Sequence, residues 1–309
     1  MNALSLHDLR KTFDSRIEAL KGIDLEVDQG DFFALLGPNG AGKSTAIGII
    51  SSLINKSSGR VEVFGHDLDS DPEGVKSCIG LVPQEFNFNQ WEPVGEIVVN
   101  QAGYYGIPRR EAWVRAEQSL KQLELWDRRK SMAMTLSGGM KRRVLIGKAL
   151  SHEPSVLFLD EPMAGVDVEL RKDMWALVQR LRESGVTIIL TTHYIEEAEA
   201  IADRVGIIND GELLLVDDKQ ALMHKLGKKQ LIIELEEALS AVPDALAPWG
   251  LELSAAGCRL TYTYDPRKTQ TGIDGLLQAI GEAGLVLKDL NTTQSSLEDI
   301  FVNLVRAGS

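Results

Sequence analysis

The sequence predicts an α/β fold with a doubly wound, mostly parallel sheet, and three observations lead to this prediction. A glycine-rich loop, "GPNGAGKST", follows an apolar strand-like run and precedes a helix-like run. Two continuously apolar segments, "SVLFLDEP" and "VTIILTTH", flank the helical stretch "ELRKDMWALVQRLRES". Apolar strands joined through a helix are typical of parallel strands that are buried on both faces and connected by right-handed crossovers.

The N-terminal elements are predicted as strands on either side of a turn. "IDLEVDQGDFFALLG" first alternates apolar and polar residues and then becomes apolar, which indicates a strand, a turn at Gln29 and Gly30, and a more buried strand. After the glycine loop, "KSTAIGIISSLI" has helical character, and "GRVEVFGHDL" indicates a short pair of strands. "CIGLVPQ" is then predicted as an apolar strand that ends on Gln84.

A helical insert is predicted over residues 87–150, where "REAWVRAEQSLKQLEL" places apolar residues three and four positions apart. The sequence changes character near "HKLGKKQ", so we divide the chain into residues 1–221 and 222–309. In the second part we expect a strand (231–236), a helix, two strands (the second 259–264), a helix (273–283), a strand (286–290) and a last helix, "SSLEDIFVNLV". This order predicts a small α+β domain with a split βαβ pattern.

Composition bounds the class of protein. A length of 309 residues favours two domains, and 44% hydrophobic with 25% charged residues is globular. No apolar run reaches the roughly 18 residues of a membrane span, and the N-terminus lacks the apolar stretch of a signal peptide, so we expect a cytoplasmic chain. The net charge of -12 disfavours binding to nucleic acid. Cys78 and Cys258 lack metal spacing and fit a reducing compartment.

The glycine loop is predicted to bind phosphate. Its Gly-x-x-x-x-Gly-Lys-Ser spacing lets successive backbone N–H groups face phosphate oxygens, while Lys43 reaches the β- and γ-oxygens and the Ser44 hydroxyl can bind Mg²⁺. A simple glycine turn is the alternative. The strand-to-helix context favours the phosphate site, whose residues are Gly37, Pro38, Asn39, Gly40, Ala41, Gly42, Lys43, Ser44 and Thr45.

Polar residues follow three of the apolar strands. Asp160 and Glu161 end one strand, and ligands of open α/β sheets bind at the carboxyl ends of the strands. We expect Asp160 to hold Mg²⁺ and Glu161 to orient and deprotonate an attacking water. Gln84 and His193 end two other strands. Each is either a satisfied polar residue or a group that hydrogen-bonds the γ-phosphate, its metal or the water.

A second potential anion site lies in "LSGGMKRR", where Ser137, Gly138 and Gly139 precede a predicted helix. Backbone N–H groups and the positive end of a helix converge at such a point. The sequence thus contains two phosphate-binding patterns almost a hundred residues apart, although one nucleotide needs a single phosphate loop.

Taken together, the motifs resemble the ATP-binding subunit of ABC transporters. The phosphate loop, Gln84, "LSGGM", "LFLDEP", "AGVD" and "TTH" occur in the family order over roughly residues 4–221. The resemblance implies a P-loop NTPase with an ABC-type RecA-like core, an antiparallel β subdomain and a helical subdomain, which binds and hydrolyses ATP with Mg²⁺. Met140 and Met163 replace the glutamine and the threonine or serine that are commoner in the family, and we expect hydrolysis to be retained.

The resemblance also implies a role for each matching residue. Glu161 is the catalytic base, His193 the switch, and Gln84 the sensor residue that faces the membrane partner and contributes to the metal site. Asp167 belongs to the loop between subunits, and Phe13 is placed to stack on adenine, although a core phenylalanine is the alternative. Residues Ser137, Gly138 and Gly139 cover the γ-phosphate of ATP held by a second subunit, which accounts for the second anion site.

The implied assembly is a head-to-tail dimer that ATP holds together and hydrolysis releases. It acts on separate transmembrane permease subunits and lies at the cytoplasmic face of the inner (plasma) membrane. Phe86, Phe88 and Trp91 follow Gln84 and either form the docking surface or belong to the helical core. The segment 296–304 resembles the tail of drug, polyketide-antibiotic and lipid exporters, so we expect export and an accessory, non-catalytic role for residues 222–309.

Two other functions compete with this interpretation. A non-transport ATPase of translation or DNA repair usually carries two cassettes or a long coiled coil, and neither pattern occurs in this sequence. A pure binding module would lack hydrolysis that depends on Glu161.

Overall fold

The computed structural model describes residues 1–14, 16–163, 168–226, 229–264 and 272–294, together with residues 297 and 301. The chain forms two compact units, Met1–Lys219 and Gln220–Ser309.

The first unit contains ten strands and seven helices among the described residues. In chain order these are β1 (Asn2–Thr12), β2 (Glu18–Asp28), β3 (Phe32–Leu36), α1 (Lys43–Ile50), β4 (Ser58–Val63), β5 (His66–Asp67), α2 (Pro72–Cys78), β6 (Ile79–Val82), α3 (Val94–Tyr104), α4 (Arg109–Gln122), α5 (Gly138–Ala149), β7 (Val156–Asp160), α6 (Val168–Glu183), β8 (Thr187–Thr192), α7 (Ile195–Ile201), β9 (Arg204–Asn209) and β10 (Glu212–Asp218).

A six-stranded sheet organises this unit and brings the predicted strand ends together. Its order is β10-β9-β3-β8-β7-β6, with parallel pairing throughout except between β9 and β10. Phe32, Phe33 and Phe158 are at most 1% exposed in its core. The parallel sheet confirms the predicted α/β fold, and because β3, β8, β7 and β6 are neighbours, the loops that follow them meet at one edge. The strand expected to end on Gln84 ends two residues earlier, at Val82.

An antiparallel sheet of order β2-β1-β4-β5 covers part of the same core. Its apolar side chains, such as Leu6 and Leu25, belong to one buried cluster with Phe33 of β3 and Ala46 of α1. The expected antiparallel β subdomain is therefore present and packs against the helix that carries the phosphate loop.

The predicted helical insert consists of α3, α4 and α5, with short 3₁₀ helices at Trp126–Arg128 and Ala133–Thr135. Helix α3 contacts both α4 and α5. The proline residues Pro93 and Pro108 stand in extended conformation immediately before α3 and α4, where their fixed φ suits a helix start.

The second unit contains α8 (Lys219–Leu226), which begins at the boundary, then β11 (Lys229–Leu235), β12 (Glu252–Leu253), β13 (Arg259–Tyr264), α9 (Ile273–Glu282) and β14 (Leu287–Gln294). The sheet order is β12-β13-β11-β14 with antiparallel neighbours. Strands β11 and β12 both oppose β13, so they run parallel with another strand between them, which is the predicted split βαβ arrangement.

One predicted α-helix of the second unit is instead a 3₁₀ helix, Asp244–Trp249. Pro243 precedes it and Pro248 lies within it, and a proline inside a helix removes a hydrogen bond and clashes with the preceding turn. The predicted last helix lies almost entirely outside the described residues.

Candidate active site

The phosphate loop connects β3 to α1 and is folded around its own lysine. Lys43 is only 4% exposed, and its ammonium group donates hydrogen bonds to the carbonyl oxygens of Gly37 (2.7 Å) and Pro38 (3.0 Å). Gly42 caps the helix in the left-handed conformation, with φ 106°. The loop therefore presents backbone N–H groups at a helix start, with a buried cation beneath them.

Glycine is required at some loop positions because the backbone of other elements approaches closely. A Cβ atom at Gly42 would lie 2.7 Å from the carbonyl oxygen of Ala19, and one at Gly37 would collide with the carbonyl oxygen of Ile208. Gly40 also has a positive φ, 84°, but a Cβ there meets no atom within 4 Å. A side chain at Gly40 would therefore meet backbone strain alone, whereas a side chain at Gly42 would meet both strain and a steric conflict.

We expect Gly42→Ala to lower the free energy of unfolding by about 1–3 kcal/mol more than Gly40→Ala. Both variants place a side chain at a positive φ, but only Gly42→Ala also forces β2 or the loop to move. Thermal unfolding of the two variants without nucleotide measures the difference. Equal losses would show that the close approach at Gly42 does not constrain the loop.

Asp160 and the phosphate loop meet at the end of β7. The Asp160 Oδ1 atom accepts a hydrogen bond from the Ser44 hydroxyl at 3.2 Å and another from the Thr191 hydroxyl at 2.6 Å. The structure therefore brings together Ser44 and Asp160, two of the three predicted metal ligands. The part played by Thr191 was not predicted from the sequence, although it lies in the quoted "TTH" segment.

Glu161 lies at the centre of the site. Its carboxylate is 11% exposed, with Oε1 3.6 Å from the Lys43 ammonium and Oε2 3.2 Å from His193 Nδ1. The Gln84 amide donates to Oε2 at 3.4 Å. The backbone at Glu161 is left-handed, with φ 44°, and its N–H donates to the Thr191 carbonyl at 3.1 Å. A non-glycine residue in this conformation costs on the order of 1–3 kcal/mol, which neighbouring structure must offset.

One buried cation and two carboxylates lie close together at the site. Burial lowers the pKa of Lys43, and the adjacent carboxylates of Glu161 and Asp160 oppose this effect. A buried charge without a partner is costly, so the lysine and the two carboxylates stabilise one another in this position.

A cavity of about 280 Å³ opens at the phosphate loop, and its lining includes Lys43 and Glu161 but neither Asp160 nor His193. The lining residues are Asn39, Gly40, Gly42, Lys43, Ser44, Thr45, Gln84 and Glu161. Phe13 and the residues 137–139 of "LSGG" do not line it. A larger cavity of about 690 Å³ lies elsewhere, beside Asn87, Tyr105 and Lys148, and contains none of the predicted catalytic groups.

The remaining predicted residues are placed as follows. Ser137 is the N-cap of α5, and its hydroxyl accepts a hydrogen bond from the Met140 N–H at 3.3 Å. Ser137 and Gly138 are exposed, whereas Gly139 is buried. Phe13 is 39% exposed, and the Lys11 ammonium lies 4.7 Å from its ring centroid. Asp167 lies outside the described residues.

A buried carboxylate that sequence reasoning missed supports the turn at His193. Glu197 is 2% exposed and accepts a hydrogen bond from the Thr192 hydroxyl at 2.7 Å, and the Tyr194 N–H donates to the same hydroxyl at 2.9 Å. Burial raises the pKa of Glu197. Only the short spacing between "TTH" and the acidic "EE" could have indicated this contact.

Known proteins are similar to this chain in sequence and in fold. The ABC transporter family model matches residues 20–164. The linearmycin resistance ATP-binding protein LnrL of Bacillus subtilis (strain 168) is 34% identical over 97% of this chain and 97% of its own length. This chain belongs to the ABC transporter family. The daunorubicin resistance ATP-binding protein DrrA3 of Streptomyces coeruleorubidus is 32% identical over 98% of this ABC protein and 95% of its own length.

Solved ABC structures have the same fold. The ADP conformation of an ATP-binding cassette of an ABC transporter has a TM-score of 0.65 and 26% identity, and the match covers 72% of this chain and 92% of that cassette. A dimeric cassette in a post-hydrolysis state, bound to ADP and Pi, has a TM-score of 0.62 and 28% identity, with coverage of 70% and 98%. This ABC protein is an ATP-binding transporter subunit and an ATPase. Among its described residues, no helix is long and apolar enough to cross a membrane.

Proposed function

We propose that this ABC ATPase powers export through a separate membrane permease, as one of two head-to-tail copies at the cytoplasmic face of the plasma membrane. The observation that carries the proposal is the convergence of Lys43, Gln84 and His193 on the Glu161 carboxylate. Two relatives that match almost the full chain are named for resistance to linearmycin and daunorubicin, which supports export. The same relatives argue against a role in translation or DNA repair.

The chain's own residues would bind the triphosphate before any chemistry occurs. The backbone N–H groups of residues 39–45 donate hydrogen bonds to the β- and γ-phosphates, and the Lys43 ammonium neutralises part of their charge. Ser44, Asp160 and Gln84 supply hydroxyl, carboxylate and amide oxygens, the ligands that Mg²⁺ takes, so this donor set fits the ion. When bound, Mg²⁺ neutralises negative charge that develops on the phosphate oxygens.

Glu161 then acts as the general base. Its carboxylate orients the attacking water and accepts a proton from it as the water oxygen bonds to the γ-phosphorus; the bond from that phosphorus to the β,γ-bridging oxygen breaks, and ADP is the leaving group. Lys43 keeps the carboxylate in place at 3.6 Å, and His193 lies at its other oxygen, where an imidazole N–H can hydrogen-bond the γ-phosphate. Loss of the γ-phosphate removes these contacts and releases the loops that hold it.

The "LSGG" residues serve the ATP of the partner copy. Ser137, Gly138 and Gly139 do not line the cavity of their own chain, and the first two are exposed at a helix start. We propose that they cover the γ-phosphate in trans, that Asp167 lies between the subunits, and that Phe13 stacks on adenine, which an exposed ring permits.

The permease would dock next to the segment that follows Gln84. Trp91 is 71% exposed and Phe86 is 40% exposed, and the 690 Å³ cavity opens beside Asn87. A contact there reaches the loop that carries Gln84.

We divide the chain into residues 1–221 and 222–309. The second part would be an accessory domain without catalysis.

Ser137→Arg tests the arrangement in trans. In a Glu161→Gln parent, ATP is held rather than consumed, so we expect ATP-dependent dimers by sedimentation. Adding Ser137→Arg should abolish the dimer, because a bulky cation replaces the hydroxyl where two subunits close, while ATP affinity of the monomer stays within about twofold.

Ser70→Arg is the matched control, since Ser70 is likewise an exposed serine at a helix start, before α2. It should leave the dimer unchanged. A dimer that persists with Ser137→Arg, or a monomer that loses ATP affinity, would refute the assignment in trans.

A further inference from the structure

Arg142 is a buried cation on α5, one turn beyond the "LSGG" residues. It is 6% exposed, and its Nη1 atom donates hydrogen bonds to the backbone carbonyl oxygens of Pro83 (3.0 Å) and Gln84 (2.8 Å). Its guanidinium lies 5.2 Å from the centroid of the Phe86 ring. Burial lowers the pKa of Arg142, and no carboxylate among the described residues counters that effect. The Arg142 guanidinium is thus a charge in an unfavourable place, and the hydrogen bonds that it makes within the described part of the chain go to the loop that carries Gln84.

Two lysines of the same helix extend this contact along the loop. The Lys148 ammonium donates to the Asn87 side-chain oxygen at 3.0 Å and to its carbonyl at 3.3 Å. The Lys141 ammonium donates to the Gln90 side-chain oxygen at 3.1 Å. Cationic donors form stronger hydrogen bonds to oxygen than neutral donors do. The segment 83–90 is thus bound at three places to the helix that begins with "LSGG".

We propose that Arg142 is a positioning residue that fixes Gln84 against Glu161 and makes this placement depend on helix α5. The Gln84 side chain reaches Glu161 Oε2 at 3.4 Å, a contact at the limit of hydrogen bonding that a small shift of the loop backbone would break. Arg142 holds that backbone at the Gln84 carbonyl itself.

The consequence rests on the proposed function, in which residues 137–139 cover the ATP of the partner copy. One end of α5 then contacts the partner's ATP, and Arg142, on the next turn, sets Gln84 in its own ATP site. Closure of one site is thereby transmitted to the sensor residue of the other through a rigid helix. Arg142 contacts neither the phosphate loop nor Glu161, so it should influence turnover without influencing ATP affinity.

Steady-state ATPase measurements and ATP titrations on the full chain test this proposal. We expect Arg142→Met to lower kcat by about tenfold while the Kd for ATP changes by less than about twofold, because only an interaction made during turnover is lost. Gln84→Ala should have a similar effect. In the Gln84→Ala background, Arg142→Met should lower kcat by less than about twofold more, since residues that act through one another are not additive.

Arg143→Met is the matched control, because the neighbouring Arg143 binds Glu124 at 2.7 Å and makes no contact with residues 83–90 among the described residues. It should change kcat by less than about twofold in either background. Arg142→Lys keeps a cation and should restore kcat to within about threefold of the parent. If Arg142→Met does not fold, Arg142→Gln replaces it in the same double-mutant cycle, and Arg142→Lys remains the conservative variant.

A tenfold loss that is the same with and without Gln84, or a Kd for ATP that rises together with the loss of kcat, would overturn the proposal. Either result would assign Arg142 a purely structural role. Failure of the proposed function would give a different result. The dimer would persist with Ser137→Arg, while the effects of Arg142→Met and Gln84→Ala on kcat would remain non-additive within one chain.

Discussion

Glu161→Gln should slow ATP hydrolysis by about 10²–10⁴-fold and leave ATP binding intact. The amide has the volume of the carboxylate but cannot accept the proton of the attacking water, and a positioned general base contributes about this factor. Lys43 remains bonded to the carbonyl oxygens of Gly37 and Pro38, so the phosphate loop keeps its shape. Single-turnover hydrolysis and a nucleotide titration measure the two quantities separately.

Glu153→Gln is the matched control for this change. Glu153 also has a left-handed backbone, with φ 59°, but it is exposed and lies outside the site. Its rate of ATP hydrolysis should stay within about twofold of the parent's rate. That result would show that replacing a carboxylate by an amide at a left-handed backbone position does not by itself slow hydrolysis. Turnover that survives Glu161→Gln would remove Glu161 from the mechanism, and lost binding would assign it a structural role.

Lys43→Ala should weaken ATP binding by about 10²–10⁴-fold. The variant deletes charge-assisted hydrogen bonds worth about 1.5–3 kcal/mol each to two phosphate groups. It also leaves the Glu161 carboxylate without the cation 3.6 Å away, so electrostatic repulsion of the triphosphate increases. Titration with ATP at fixed salt concentration measures the loss, and thermal unfolding shows whether the variant is folded.

Lys56→Ala controls for the loss of a lysine that supports a loop. Lys56 donates to the Gly59 carbonyl at 2.7 Å and to Asp69 at 2.8 Å, a similar pair of contacts outside the active site. ATP affinity should not change in this variant. If Lys43→Ala binds ATP as the parent does, the cavity of residues 37–45 is not the phosphate site.

The sequence predicted those parts of the site that are local in the chain. The phosphate loop depends on a fixed spacing of glycine, lysine and serine, so the place of Lys43 and Ser44 at the start of the helix that follows β3 could be predicted without a structure. Asp160 and His193 follow apolar runs whose parallel pairing is itself a consequence of the alternation of strand and helix. Their approach to one edge therefore followed from topology.

Contacts between distant segments could not be predicted in this way. Arg142 binds a carbonyl 58 positions earlier, and Thr191 binds Asp160 31 positions earlier. Nothing in the spacing of "MKRR" or "TTH" specifies a partner, because such contacts are set by the packing of whole helices and strands. The 3₁₀ helix at Asp244–Trp249 was missed because a short helical pattern does not distinguish the two helix types, although Pro248 argues for the tighter one.

The left-handed backbone at Glu161 has a consequence for protein engineering. Position 161 combines an unfavourable φ with a buried carboxylate, so residues that tolerate this φ, such as glycine or asparagine, relieve strain there. Selecting variants by melting temperature alone would therefore favour substitution of Glu161, the residue that we propose as the general base. Stabilised versions of this transporter subunit are better sought at Ser52, where φ is 61° at a surface turn away from the ATP site.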